Sequence, residues 1–154
     1  MAKGSLLALL GEAKDAVAAI PNVGQVYTYR QLTKSWDEAV VSFKHAADFR
    51  YWIVLPGTGE SRFLNFQSDE LVHAVEVHGM ISQDADGENE SVLEDLAEGV
   101  RSALSDAGNF PSANSGLASP AVVRDRFTMR LKGVRLRGVV VMARPVEEVA
   151  RAAS

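Results

Sequence analysis

Hydrophobic positions along the chain recur with two different periods, and the change between them marks the central unit. Val75, Val77, Gly79 and Ile81 alternate with Glu76, His78 and Met80, the period-2 pattern of a half-buried strand. Gln83 to Glu90 is almost wholly polar and reads as an acidic loop. From Ser91 the period becomes helical: Val92, Leu93, Leu96, Ala97, Val100, Ala103, Leu104 and Ala107 fall on one stripe. Ser91 and Glu94 have the spacing of a capping box, which predicts a helix starting at Ser91, and Gly108 is its expected stop.

The rest of the chain reads as what completes this strand-and-helix unit. Leu6, Leu9, Leu10, Ala13, Val17 and Ile20 predict a first helix over Ser5–Ile20, ended by Pro21. Asn22-Val23-Gly24 is a turn in which Gly24 is free to take positive φ, and Gln25–Arg30 follows as a strand. Thr33–Ala47 is expected to be a second helix, with Ser35 and Glu38 at capping-box spacing and Trp36, Val40, Phe43 and Ala47 on its apolar stripe. Tyr51–Leu55 is a short apolar strand, and Pro56 to Glu60 is a loop rich in breakers. Phe63-Leu64-Asn65-Phe66 is expected to add a short strand or edge segment, with a break at Gln67-Ser68-Asp69.

Gly108–Pro120, rich in Gly, Ser, Asn and Pro, reads as a mobile surface loop. Val122–Leu131 and Val134–Ala143 are strands joined by the compact turn Lys132-Gly133. The second half of the latter is apolar on both faces, which places it centrally in the sheet or against a partner. Val146–Ser154 is expected to be a short helical or frayed tail. Strands joined by short turns make hairpins. The expected fold is therefore α+β: a mainly antiparallel sheet with two or three helices packed on it, in a single domain over residues 1–154 with flexible loops at about 56–62 and 108–120.

Composition narrows the function classes. A chain of 154 residues is about one domain and buries enough surface to fold without disulfide or metal. With no cysteine there is no thiolate ligand and no thiol nucleophile. The segment before the first helix lacks the marks of a signal peptide, and no apolar run is long enough to span a bilayer. A net charge of −4 disfavours non-specific binding to nucleic acid. The charge is unevenly distributed. Asp84 to Asp106 carries eight acids and one base, whereas Arg124 to Arg144 carries seven bases and one acid. These stretches are either two solvated faces of one domain or the complementary faces of a head-to-tail subunit contact. On the second reading the candidate subunit or partner interface is Asp84, Asp86, Glu88 and Glu90 against Arg126, Arg130, Arg135 and Arg137.

Catalytic and metal-binding patterns are not evident. His73 and His78 are expected on opposite faces of one strand, unable to share a metal easily. Asp84, Asp86, Glu88 and Glu90 alternate as calcium ligands do, but Gly87 is out of place for an EF-hand loop. The glycines at 57 and 59 lack the Gly-Lys-Ser/Thr ending of a P-loop. No cofactor, metal or catalytic residue is assigned, and the expectation is a protein that is not an enzyme.

One resemblance covers most of the chain. The opening helix followed by Ala19-Ile20-Pro21-Asn22-Val23-Gly24-Gln25-Val26-Tyr27-Thr28-Tyr29 resembles the start of the tail terminator (tail completion) proteins of tailed bacteriophages. These often open with a helix, an I-P-G-V-G-x-V-like turn and a strand. Asn22 stands where that turn usually has glycine, and asparagine also accepts the left-handed conformation. The Trp36 segment, the Tyr51-Trp52-Ile53 strand, the His78-Gly79-Met80 strand, the long helix and the two C-terminal strands follow in the expected order. The resemblance implies a virion structural protein, made in the host bacterial cytoplasm. It would assemble as a homohexameric ring that caps the tail tube and joins it to the neck. Its implied partners are itself, the tail-tube protein, the neck or head-completion protein and, through a basic rim, diffuse contact with DNA passing through the ring.

Other classes stay open at this point. A head-closure or adaptor neck protein would share most of these features. A small cytoplasmic α+β enzyme or ligand-binding domain would instead show a deep pocket with convergent polar groups.

Overall fold

The computed structural model of the protein describes residues 2–28, 44–45, 48–82, 88–131 and 134–150. Helix α1 (Ala2–Ala18) buries Leu9, Leu10, Ala13 and Val17. The chain leaves it through the expected turn, with Asn22 at φ 62° and Gly24 at φ 93°. A Cβ on Gly24 would stand 2.6 Å from the Arg50 Cβ, so backbone and side-chain space both demand glycine there. Strand β1 (Gln25–Thr28) then pairs in parallel with β3 (Asp48–Pro56), Val26 opposite Trp52.

The helix expected over Thr33–Ala47 lies outside the described residues except at Lys44–His45. Those two form β2, antiparallel to the start of β3. A helix reaching Ala47 is therefore corrected: the backbone of Lys44 and His45 is taken by ladder bonds to Asp48 and Phe49.

β4 (Glu60–Phe63) and β5 (Ser68–Val72) form a hairpin that the sequence pattern misplaced. Leu64–Gln67 is the reversal, where Asn65 Oδ1 accepts from the amides of Gln67 (2.8 Å) and Ser68 (2.9 Å). This Asx turn frees Ser68 and Asp69 to extend as strand rather than break it. β6 (Val75–Ser82) follows the expected alternation, with Val75, Val77 and Ile81 on the core face.

Helix α2 (Glu88–Leu104) begins earlier than the capping box predicts. Ser91 is exposed inside the helix, and the Asn89 side-chain amide donates to the carbonyl of Ser82 (2.8 Å), tying the first turn to the end of β6. The early start adds a helical turn from the acidic stretch, whose Glu88 and Glu90 favour a helix N-terminus. At the other end the helix stops at Leu104, and Gly108 lies in a separate 3-10 turn, Ala107–Asn109. The 108–120 segment has the exposed positions expected of a surface loop and is anchored to the body of the fold. It buries Phe110 and Ala113, and the Ser112 amide and hydroxyl both donate to the Glu12 carboxylate, at 3.0 and 2.7 Å.

β7 (Val122–Leu131) and β8 (Val134–Ala143) match their predicted bounds. Pro145 ends β8, and the described part of the tail after it forms no helix. Val146–Ala150 is β9, which pairs antiparallel with β5, Val146 opposite Val72 and Ala150 opposite Ser68. Its β-branched valines suit a strand, and the partner β5 comes from a hairpin that local patterning did not reveal.

The strands form two sheets. The larger has the order β1-β3-β6-β8-β7, with β2 also on β3, and the smaller the order β4-β5-β9. All pairs except β1–β3 are antiparallel. Central placement of β8 between β6 and β7 explains its apolar second half. Val139, Val141 and Ala143 join Leu9, Val17, Trp52, Leu93, Val100 and Leu104 in the core beneath the two helices. On the opposite face Tyr51, Ile53, Met80 and Leu136 form a second apolar cluster. Each fully buried aliphatic side chain contributes about 1.5–3 kcal/mol, so the α2 stripe supplies a large share of the stability.

Candidate functional site

Among the described residues, three surface regions gather the candidate groups. The first is the seam between α2 and the β7–β8 hairpin. Arg126 and Arg137 project from the sheet face on which α2 packs, and α2 presents Glu90 and Glu94 to them. Arg126 Nε and Nη2 donate to the two carboxylate oxygens of Glu94 at 2.8 and 2.9 Å. Arg137 Nη2 donates to Glu90 Oε1 at 2.5 Å. The hydrogen bond from Arg126, followed by the pull of Arg126 and Arg137 charge, holds the Glu94 carboxyl below its ordinary range. The same bond raises Arg126.

The acidic and basic stretches therefore meet within one chain. The sequence leaves them either as two solvated faces of one domain or as complementary faces of a contact between subunits. The structure instead places them side by side, because the strands that carry the arginines form the sheet on which the acidic helix lies. Of the candidate interface residues, Glu90, Arg126 and Arg137 are engaged in these bonds. Glu88 is exposed in the first turn of α2. Arg130 and Arg135 are exposed and lie directly opposite each other in the β7–β8 register, and among the described residues neither takes an ion pair. Asp84 and Asp86 lie outside the described residues, as does most of the acidic loop.

The second region is a polar cluster at the bulge in β7. The register slips between Val123 and Asp125, and Arg124 is the extra residue. Such a bulge re-aims a side chain. Arg124 reaches across to β6, where both its terminal nitrogens donate to Glu76 at 3.1 Å. Glu76 Oε1 also stands 3.1 Å from His78 Nε2. The sequence carried no signal for this cluster, since the bulge shifts the alternation of β7 by one residue.

The third region is the β4–β5 hairpin. Its tip exposes Phe63 (64%), Leu64 (44%) and Phe66 (90%), and the two rings meet edge to face at 5.9 Å. Its base borders a concavity of about 350 Å³, open to solvent, where Glu60, Ser61 and His73 stand beside Leu6, Leu71, Val72 and Ala74. In the sequence the aromatic run reads as a short strand or edge segment; Phe63 does end β4, but nothing local shows that the turn at Asn65 carries Leu64 and Phe66 to the surface.

His73 is not on the strand of His78, as the alternation predicted, but in the connection between β5 and β6. It is buried, its amide donates to the Pro145 carbonyl at 2.9 Å, and its Nε2 lies 3.9 Å from the buried Glu147 carboxylate. Sheet switching causes this: the chain leaves the small sheet at Val72 and enters the large one at Val75, so the alternation does not run through His73. Among the described residues no three His, Asp or Glu side chains are grouped to hold a metal ion. Among them, too, no helix is long and apolar enough to cross a membrane. A second concavity, lined by Ile20, Pro21, Asn22, Arg50, Asp95 and Leu96, lies where the α1–β1 turn meets α2.

No protein-family model matches the chain, and no curated protein matches it.

Proposed function

We propose that the chain is a virion structural protein of a tailed bacteriophage: a tail terminator whose ring caps the tail tube and joins it to the neck or head connector. The observation that carries this reading is the entry to the fold. A helix, the Ile20-Pro21-Asn22-Val23-Gly24 turn and a strand occur in the order and spacing that resemble that family. Positive φ at both Asn22 and Gly24 supports reading this stretch as a glycine-type turn. A single α+β domain with helices stacked on one sheet face is compatible with a small ring subunit.

On this reading the chain acts through surfaces and not through catalysis. Copies of itself form the ring, the tail-tube protein meets one rim, the neck or head-completion protein meets the other, and DNA passing through makes diffuse contacts only. Arg130 and Arg135, with no ion pair among the described residues, are the cations best placed to meet a partner's acids. A head-closure or adaptor protein of the same neck is the alternative within this class.

Native mass spectrometry and negative-stain imaging of the pure protein, alone and with purified tail-tube protein, test the proposal. A six-fold ring, free or seated on tube ends, supports it. A protein that stays monomeric and leaves tube ends uncapped and still growing overturns it. A ring that binds the head connector but ignores the tube would move the chain to the adaptor alternative.

A further inference from the structure

Among the described residues, two places in the sheets set like charges directly opposite each other, and the two are opposite in sign. In the β7–β8 ladder Arg130 stands opposite Arg135. In the β5–β9 ladder Glu70 stands opposite Glu148. Directly opposed residues of an antiparallel pair share a face, with Cβ atoms about 4.5–5.5 Å apart, and like charges there weaken the sheet. Each pair is therefore a small local cost that a complementary pair would relieve.

Neighbouring groups leave both pairs unrelieved. The acids beside the arginines, Glu90 and Glu94, are held by Arg137 and Arg126, and neither of the exposed Arg130 and Arg135 takes an ion pair among the described residues. On the small sheet Arg62 and Arg144 both donate to Glu60. Glu70 keeps only a long contact with Arg62 Nη1, at 3.8 Å, and the exposed Glu148 carboxylate takes no ion pair among the described residues. The Glu148 backbone is fixed on both sides, by the β5 ladder and by the Asn114 side chain, which meets its amide at 2.8 Å and its carbonyl at 3.3 Å. Within one chain the two pairs stay apart. Arg135 is at the hairpin end of β8, and the chain leaves for the small sheet beyond Ala143, roughly 26 Å away at about 3.3 Å per residue.

We infer that the Arg130–Arg135 pair of one copy docks on the Glu70–Glu148 pair of a second copy. The match in sign, number and spacing selects that occupant: two cations set over two carboxylates turn both repulsions into attractions. Because the two surfaces differ, the contact is head to tail, and it closes into a ring or continues as a filament according to its rotation. It puts the partner's acids on β5 and β9, away from the Asp84–Glu90 stretch. Only the closure into a ring rests on the proposed function.

Charge-swap variants of the full chain test this in sedimentation velocity, with far-UV circular dichroism as the check on folding. Arg130→Glu with Arg135→Glu makes the basic pair acidic. Glu70→Lys with Glu148→Lys makes the acidic pair basic, and Glu148→Lys alone replaces it if a lysine beside Arg62 unfolds the small sheet. The wild type is expected to self-associate at about 0.01 M salt and to do so at least about 10-fold more weakly at about 1 M, as the Debye length falls from about 30 to about 3 Å. Each swapped variant by itself should associate about 10- to 100-fold more weakly than the wild type at low salt. An equimolar mixture of the two should associate again, because one variant keeps the acidic pair intact and the other the basic pair.

The inference is overturned if the wild type is monomeric, if either folded variant associates as the wild type does, or if the mixture stays dissociated. A monomeric wild type that holds a DNA duplex through Arg130 and Arg135 overturns it in favour of a nucleic-acid surface. Failure of the ring reading looks different. Swap-sensitive dimers or open chains would sink the ring and keep the contact, whereas a six-fold ring indifferent to both variants would keep the ring and sink the contact.

Discussion

Trp52 packs its indole against Gly79, the residue directly opposite it on the neighbouring strand, and leaves no room for a side chain there. A Cβ on Gly79 would stand 2.1 Å from Trp52 Cζ3. The indole is 1% exposed and its Nε1 donates to the Val23 carbonyl at 3.0 Å, so the ring is held at both ends. A second glycine, Gly138, underlies Phe127 in the same way across β7 and β8, with a built Cβ at 2.2 Å from Phe127 Cζ. Phe127 is only partly buried.

The two glycines should therefore respond differently to the same substitution. Gly79→Ala must displace a buried, hydrogen-bonded indole and should cost about 3 kcal/mol or more, the upper range of overpacking. Gly138→Ala pushes a ring that can swing outward and should cost about 1 kcal/mol. Urea unfolding midpoints at constant slope measure both. Equal losses would show that Phe127 is as fixed as Trp52.

Tyr51 sets an alkaline limit to stability. It is fully buried, its hydroxyl donates to Met80 Sδ at 2.9 Å, and burial pushes its phenol up to about 12 from the ordinary 10.0. A raised folded-state value means that the stabilising difference is whole below pH 10 and is lost as pH rises from 10 toward 12. The full loss corresponds to about 2–3 kcal/mol. Thermal melts from pH 8 to 11 should fall more steeply for the wild type than for Tyr51→Phe. Parallel curves would show that another group controls the alkaline transition.

Glu12 fastens the 108–120 segment to α1. Its half-buried carboxylate takes both donors of Ser112, across 100 positions of sequence. Glu12→Ala leaves those donors unmet and should cost about 1–3 kcal/mol. It should also speed proteolysis near Ser115 and Ser119, which are exposed. Limited proteolysis with mass mapping reads this directly, and an unchanged cleavage rate would show that buried Phe110 alone holds the segment.

The α2 seam should be weak and sensitive to salt and acid. Glu94 is held below its ordinary range by Arg126, so the pair's contribution is present above the unfolded value near 4.5 and fades as pH falls through the lower folded value. Both side chains are about half exposed, and screening leaves little net effect. For Glu90 and Arg137, a double-mutant cycle should give a coupling of about 0.2–1 kcal/mol at low salt that shrinks at high salt. A coupling independent of salt would contradict this.

Arg130 and Arg135 face each other across the hairpin as like charges. Arg135→Glu should turn this repulsion into a cross-strand pair and raise the melting temperature of the isolated subunit slightly. The same change should weaken ring assembly, more at low salt than at high, if these cations meet a partner's acids. A gain in stability with assembly unchanged would remove them from the interface.

Local periodicity was enough to determine most elements. The alternation in Val75–Ile81, the α2 stripe from Leu93 to Leu104 and the strand pair at 122–143 depend on side chains a few positions apart, which the sequence displays directly. The need for positive φ at Gly24 and its tolerance at Asn22 were legible for the same reason. Tertiary structure alone decided the rest. β9 is a strand because β5 offers it an edge, and β5 exists because Asn65 turns the chain. The meeting of Glu94 with Arg126 requires knowing that α2 lies on the face of β7, and Arg124 reaches Glu76 only through a bulge. Whether Phe66 is core or surface depends on which element covers it. These are contacts between distant parts of the chain, and the pattern of one segment says nothing of what will stand opposite it.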